Sequence, residues 1–164
     1  MDKQDGAATQ RVICTLGTST RGLGEFMDIL ASKGITTVCD VRSFPTSRRF
    51  PHFTSQALAV SLREAGFAYF WLGERLGGYR KESYAAHMET EDFKRGIEEL
   101  EELASAAPTA VVCAELLPWR CHRRFIAAAL EAKGWEVVHV LDSSRDWIPK
   151  ERVENLSLFE GRDV

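Results

Sequence analysis

The stretch CAELLPWRCHRR, residues 113–124, concentrates more reactive side chains than any other part of the chain. Cys113 and Glu115 close an apolar run, and Cys121, His122 and the arginines 120, 123 and 124 open an amphipathic one. A helix start offers unpaired backbone N–H groups and a partial positive charge, which suit an anion. Arg120 and Arg123 beside it can grip a phosphate or carboxylate with paired N–H bonds. His122 is the candidate acid or base. Cys121, close to the same helix start, is a candidate nucleophile with a lowered pKa. The structural alternative is a buried histidine capped by a carbonyl, arginines on a solvated helix face and a half-buried cysteine. Cys113, between Val111, Val112 and Ala114, reads as core, because free cysteine behaves as a small hydrophobe.

Three further segments carry candidates. Asp40 ends an apolar run as Glu115 does, and two such carboxylates can share acid and base duties. The alternative is that each pairs with an arginine, Arg42 or Arg120, and only orients it. In GTSTRG, residues 17–22, Gly17 lets backbone approach a ligand, and Thr18 and Ser19 supply hydroxyls for a phosphate, although Ser and Thr are also ordinary helix caps. SFPTSRRFPHF interleaves aromatics with Arg48, Arg49 and His52, a mixture that takes bases and phosphates. LGERLGGYR repeats the mixture around a glycine pair. Thiol phosphatases and sulfurtransferases hold Cys-x5-Arg between strand and helix; here Cys113 and Arg120 are separated by six residues, which leaves thiol-based transfer as an alternative.

The elements that must position these residues alternate. Apolar or β-branched runs at 11–17, 35–42, 67–73, 109–115 and 135–142 read as strands. Helical periodicity fills 22–34, 55–66, 90–107 and 118–134, with Thr54 or Ser55, Thr90 and Pro118 as starts and Gly34 and Gly134 as stops. Residues 74–88 read as irregular. The expectation is an α/β three-layer sandwich, Rossmann-like, with a mostly parallel five-stranded sheet and helices on both faces. In such sheets ligands bind beyond the carboxyl ends of the strands. Those ends are TLGTSTRG, DVRSFP, LGERLGG and CAELLPWRCHR, so the polar candidates collect at one edge. The order 3-2-1-4-5 is expected, which makes the first and fourth loops neighbours. Residues 11–142 form the expected single domain, with 1–10 a flexible N-terminus and 143–164 a tail that packs on it through Trp147, Ile148, Leu156, Leu158 and Phe159.

The totals narrow the classes. With 164 residues and a formal charge of −3, no bulk basic excess demands nucleic acid. Acids are nevertheless absent between Asp40 and Glu64 and between Glu115 and Glu131, so local positive regions fit on an acidic chain. MDKQDGAATQ lacks the apolar core of a leader, and no apolar run reaches membrane-spanning length. The expected location is cytoplasmic, where the four cysteines stay reduced. No CxxC spacing is present, and neighbours such as Cys121 and His122 diverge on a helix, so neither a metal nor a cofactor is expected.

Taken together, TLGTSTRGLGEFMDIL, VCDVRSFPTSRRFPHF, WLGERLGGYR, CAELLPWRCHR and VVHVLD resemble the family called domain of unknown function 488, over roughly residues 11 to 142. The resemblance implies an α/β fold and a shared site drawn from these loops, without a reaction. The family's first motif usually reads Gly-His-Ser, whereas this chain has Gly17-Thr18-Ser19, so a histidine acid or base is missing there. The expected function is an enzyme acting on a phosphate-bearing small molecule or nucleotide. Arg42, Arg120 and Arg123 would hold the anion, and His122, Glu115, Cys121 or Asp40 would supply the chemistry. The alternatives are a non-catalytic nucleotide or nucleic-acid binding module using Arg48 and Arg49, and thiol-dependent sulfur or phosphoryl transfer.

Overall fold

A computed structural model of the chain describes residues 11–148. The expected flexible N-terminus, 1–10, and the tail residues from 149 on, with Leu156, Leu158 and Phe159, lie outside the described residues. The strands are β1 (Val12–Gly17), β2 (Thr37–Asp40), β3 (Ala68–Trp71), β4 (Thr109–Cys113), β5 (Glu136–Val140) and β6 (Asp146–Trp147). The helices are α1 (Leu23–Ser32), α2 (Ser55–Glu64), α3 (Gly73–Leu76), α4 (Tyr84–Met88), α5 (Glu91–Ala106) and α6 (Arg123–Ala132). The short α3 and α4 lie in the segment that sequence pattern leaves irregular. Both are too brief to show a helical period, and a four-residue element carries almost no propensity signal.

The sheet has six strands in the order β3-β2-β4-β1-β5-β6. β1 to β5 run parallel, and β6 pairs antiparallel with β5. Two expectations are corrected. The sixth strand escapes the sequence because it is two residues long. The order 3-2-1-4-5 is replaced by one in which β4 sits between β2 and β1, paired to both. The apolar patterns of β1 and β4 are alike, so they could not say which strand lies innermost; β2 and β4 are buried at every position.

Each helix buries one stripe. Phe26, Ile29 and Leu30 of α1 and Leu58 and Leu62 of α2 pack with Leu16, Val38, Ala110, Val112 and Val140 on one face of the sheet. Phe93, Ile97 and Leu100 of α5 and Ile126, Ala127 and Leu130 of α6 pack with Ile13, Cys39, Val111 and Val137 on the other. Strand alternation sends successive side chains to opposite faces, which accounts for this division. Side-chain oxygens of Thr54 and Thr90 cap α2 and α5. No helix of the described residues is long and apolar enough to cross a membrane.

The strand order also makes a crevice. The chain leaving β1 crosses to the α1 face, while the chain leaving its neighbour β4 crosses to the α6 face. Adjacent loops that part in this way open a gap at the carboxyl edge of the sheet. Leu130 is fully buried in the α6 layer, and Val60 on α2 is 55% exposed. Leu130→Ala should therefore cost about 2–5 kcal/mol and Val60→Ala no more than about 0.5 kcal/mol. Urea unfolding of the two variants checks that difference.

Candidate functional site

Four loops close around a cavity of about 480 Å³ at that edge. The loop after β1 contributes Thr18 and Ser19, and the loop after β2 contributes Arg42, Ser43, Phe44, Thr46, Ser47 and Phe50. Gly78 and Tyr79 come from the loop after α3, and Cys113, Glu115, Cys121 and His122 from the end of β4 and beyond. The β1 and β4 loops continue to pair past their strands: Thr18 N–H donates to Cys113 O at 2.7 Å and Ser19 N–H to Ala114 O at 2.9 Å. Gly17 is required for this approach, because a Cβ there would lie 2.1 Å from the Glu115 carbonyl oxygen. Ser19 adopts a left-handed conformation with φ 48°, uncommon for a residue other than glycine and costly by about 1–3 kcal/mol. Its strained backbone sits on the cavity wall.

The helix that sequence periodicity starts at Pro118 is broken. Pro118–Arg120 form a 3₁₀ turn, Cys121 is extended, His122 is the N-cap residue, and α6 begins at Arg123. Residues 121 and 122 therefore do not occupy the helical positions expected of them. Cys121 is drawn inward to the end of β4, where its sulfur lies 3.4 Å from Cys113 Sγ.

Arg123 explains the arrangement. It is fully buried, on the same stripe as Ile126, Ala127 and Leu130. Its backbone N–H and its Nε–H donate to Cys121 Sγ at 3.3 and 3.2 Å. Nη1 donates to Thr15 Oγ1 at 3.1 Å, and Nη2 donates to the carbonyls of Glu115 and Leu116. No carboxylate pairs with it among the described residues, so its counter-charge is the Cys121 sulfur. The hydrogen bond with the Cys113 thiol, opposed by burial and aided by the Arg123 charge and N–H groups, lowers the Cys121 pKa to about 6. Burial, reinforced by the hydrogen bond to Cys121, pushes the Cys113 thiol well up. Burial likewise raises Cys14 to about 11 and Cys39 to about 12.

His122 donates its Nε2–H to Val41 O at 2.9 Å, which makes Nδ1 the lone-pair nitrogen. That nitrogen faces Gly78, where a Cβ would lie 2.7 Å away. Burial lowers the His122 pKa to about 4 against the opposing bond to Val41, with Arg123 and Arg80 adding to the drop. The ring is thus a neutral acceptor in the cavity wall.

Asp40 is fully buried and does not line the cavity. Its oxygens accept Arg42 Nε–H at 2.9 Å, Arg42 Nη2–H at 2.7 Å, the Arg42 backbone N–H at 3.1 Å and the Tyr69 hydroxyl at 2.6 Å. The carboxylate orients Arg42, whose Nη1 also donates to Phe53 O at 2.7 Å and ties the β2 loop down. Burial opposes the Arg42 charge, but the bonds and charge of Asp40 raise its pKa further. Glu115 is exposed at the rim, and its Oε1 accepts Leu117 N–H at 3.2 Å. Arg48, Arg49 and Arg120 are exposed and outside the lining, as Arg123 is by burial. The structure thus brings together Thr18, Ser19, Arg42, Cys121, His122 and Glu115, with Gly17 behind them. It leaves out Asp40 and four of the five expected anion-binding arginines.

Sequence reasoning missed Thr15, Tyr69, Ser43, Thr46 and Ser47, while Phe44 and Tyr79 belong to the aromatic loop segments it singled out. Phe44 and Tyr79 are 65% and 73% exposed, with ring centres 5.2 Å apart at the cavity mouth. The burial of Arg123 had a signal, its i, i+3, i+4, i+7 spacing to Ile126, Ala127 and Leu130. The hydroxyls of the β2 loop had none.

Two outcomes follow from these ionisations. Iodoacetamide should modify Cys121 in the native protein with a rate that is half-maximal near pH 6, while Cys14 and Cys39 stay unmodified until unfolding; peptide mapping after timed quenching measures both. His122 is held neutral in the folded chain down to about pH 4, whereas unfolded histidine titrates near 6.5. The unfolded state therefore binds more protons in that interval, and stability falls as pH drops through it. Urea unfolding at pH 7 and pH 5 should show a smaller loss for His122→Asn than for the wild type.

A family model described as domain of unknown function DUF488 matches residues 22–130, from the start of α1 into α6, about two thirds of the chain. The match spans the β2, α3 and β4 loops of the cavity and begins after the Thr18–Ser19 wall. No curated protein and no solved structure matches significantly. With its sheet-edge cavity and the DVRSFP, LGG and CAE…RCHR segments placed around it, the chain belongs to the DUF488 family.

Proposed function

We propose that this chain is an enzyme acting on a small molecule at the carboxyl edge of its sheet, with Cys121 as the nucleophile. The observation that supports this is the Cys121 sulfur itself, which lines the cavity, accepts hydrogen bonds from Arg123 Nε–H and Arg123 N–H, and lies 3.4 Å from the Cys113 sulfur. A thiolate formed at or below ambient pH is a ready nucleophile. Sγ attacks an acyl carbon or a sulfane sulfur, and a thioester or persulfide forms on Cys121. The bond to the leaving group breaks, and that group departs with the bonding electron pair. Water or a second acceptor then takes the group and returns the thiolate. Glu115, the carboxylate at the rim, is placed to remove a proton from that acceptor. Neutral His122 orients it through Nδ1 and adds no positive charge.

Substrate shape follows from the wall. Thr18, Ser19, Ser43, Thr46 and Ser47 supply hydroxyls, and Arg42 keeps one N–H on each terminal nitrogen beyond its bonds to Asp40 and Phe53. Phe44 and Tyr79 offer exposed ring faces at the mouth. A phosphate-bearing molecule with a planar ring, such as a nucleotide, suits that set as the bound body. Phosphoryl transfer onto Cys121 is less well supported, because Arg48, Arg49 and Arg120 are outside the lining and Asp40 neutralises Arg42. A cytoplasmic, reducing setting, which this reading takes, keeps Cys121 reduced and ready as a thiolate. The second reading, nucleotide binding without catalysis, is favoured by the same rings and hydroxyls and makes no use of Cys121.

Intact-mass analysis after incubation with an acyl thioester, thiosulfate or p-nitrophenyl phosphate separates the two. The expected result is an acyl or sulfane-sulfur adduct on the wild type that is absent from Cys121→Ser. Failure of every donor to label Cys121 would overturn the catalytic reading.

A further inference from the structure

Cys113 is not needed for the chemistry above, yet it shares the cavity wall with Cys121 and its sulfur is 3.4 Å away. A disulfide requires about 2.05 Å, so the two atoms need to close by roughly 1.4 Å. Cys113 is fixed as the last residue of β4, but the seven residues between the two cysteines hold one 3₁₀ turn and no α-helix or strand, so the Cys121 sulfur can shift toward it without moving a helix or the sheet. The two thiols also differ in state. Cys121 accepts from Arg123, while Cys113 is buried between the Cys121 sulfur and the Glu115 carbonyl, without an arginine contact. A half-buried nucleophile that reaches the cavity, with a second, buried thiol in contact behind it, is the geometry of an attacking and a resolving cysteine.

We propose that Cys113 and Cys121 are a two-thiol couple that reduces small disulfides and closes to a disulfide as it does so. The inference rests on Cys121 being the nucleophile of the cavity. Cys121 S⁻ attacks one sulfur of RSSR, forming a mixed disulfide and releasing RS⁻. The Cys113 S–H then gives its proton to a released RS⁻, and the Cys113 sulfur attacks Cys121 Sγ and displaces the second RS⁻. The protein loses two electrons, RSSR gains them, and the products are the Cys113–Cys121 disulfide, RSH and RS⁻. An external dithiol reverses the change. Attack by Cys113 becomes easier after the first step, because the negative sulfur beside it has become neutral.

The couple is also poised. Closing the disulfide removes the anion that faces the buried Arg123 guanidinium, which has no carboxylate among the described residues to replace it. That loss works against the oxidised form, so the external dithiol readily re-reduces the disulfide, and an excess of RSSR drives the oxidation of the couple. A cavity of about 480 Å³ with an open mouth suits a small disulfide better than a folded protein partner.

The test uses the full folded chain and oxidised glutathione at neutral pH, quenched with an alkylating agent. Trypsin cuts after Arg120, so a Cys113–Cys121 disulfide joins two peptides that mass spectrometry identifies. The wild type should yield that linked pair and release both halves of the oxidised glutathione. Cys113→Ser should stop at a glutathione mixed disulfide on Cys121, and Cys121→Ser should react at neither position. A wild type that itself stops at the mixed disulfide overturns the couple and leaves Cys121 a nucleophile. A wild type whose Cys121 takes up neither glutathione nor iodoacetamide overturns both. Should Cys113→Ser fail to fold by circular dichroism, the linked pair or the mixed disulfide in the wild type still decides.

Discussion

A guanidinium buried without an anion costs several kcal/mol, and Arg123 is fully buried. The group that meets its charge is a cysteine sulfur at 3.2 Å. Most of the cavity's geometry depends on that contact. The sulfur is held at the end of β4 because Arg123 enters from the first turn of α6 and reaches across to Thr15 on β1. The same guanidinium gathers the carbonyls of Glu115 and Leu116, which bends the chain after β4 into the cavity wall. The Glu115 carbonyl, so placed, is the atom that leaves no room for a side chain at residue 17. One buried cation thus sets the position of the thiol, the course of a loop and the identity of a glycine.

The second buried arginine shows the contrast. Arg42 meets Asp40, a carboxylate, and Tyr69 donates to the same carboxylate. The carboxylate is filled with hydrogen bonds, and the pair's effect is to hold the β2 loop through Phe53 O. The Arg123 pair uses a sulfur anion that the hydrogen bond with Cys113 and then the arginine stabilise. A buried ion pair is weak evidence for stability but good evidence for a fixed arrangement. Here the arrangement holds a reactive atom against solvent-accessible space, whereas the Asp40 pair is sealed under it.

Much of the architecture was legible in the sequence. The stripes Phe26–Ile29–Leu30 and Phe93–Ile97–Leu100 repeat at helical spacing, and the runs around Val38 and Val111 are short and apolar, so four helices and five strands could be placed by period alone. The gathering of the Gly17, Arg42 and Cys121 segments at one edge also followed, because parallel strands joined by crossovers all end there. The position of β4 did not follow. Strand order depends on which apolar surfaces match in volume, and β1, β2 and β4 are each buried enough to be central.

At the level of individual side chains, the sequence by itself determined the inventory: two cysteines, a histidine, a glutamate and three arginines within CAELLPWRCHRR, and a glycine, a threonine and a serine after β1. Tertiary structure decided their roles. Arg123 turned inward because its helical position faces the sheet, and Arg120 stayed outside because a 3₁₀ turn ended before α6 began. Asp40 became a partner of Arg42 instead of a cavity carboxylate, and Cys121 met Cys113 across seven residues of chain. Residue type and spacing fix what a group can do and which element carries it. Charge state depends on neighbours within a few ångströms, which come from distant parts of the chain and exist only once the sheet has assembled.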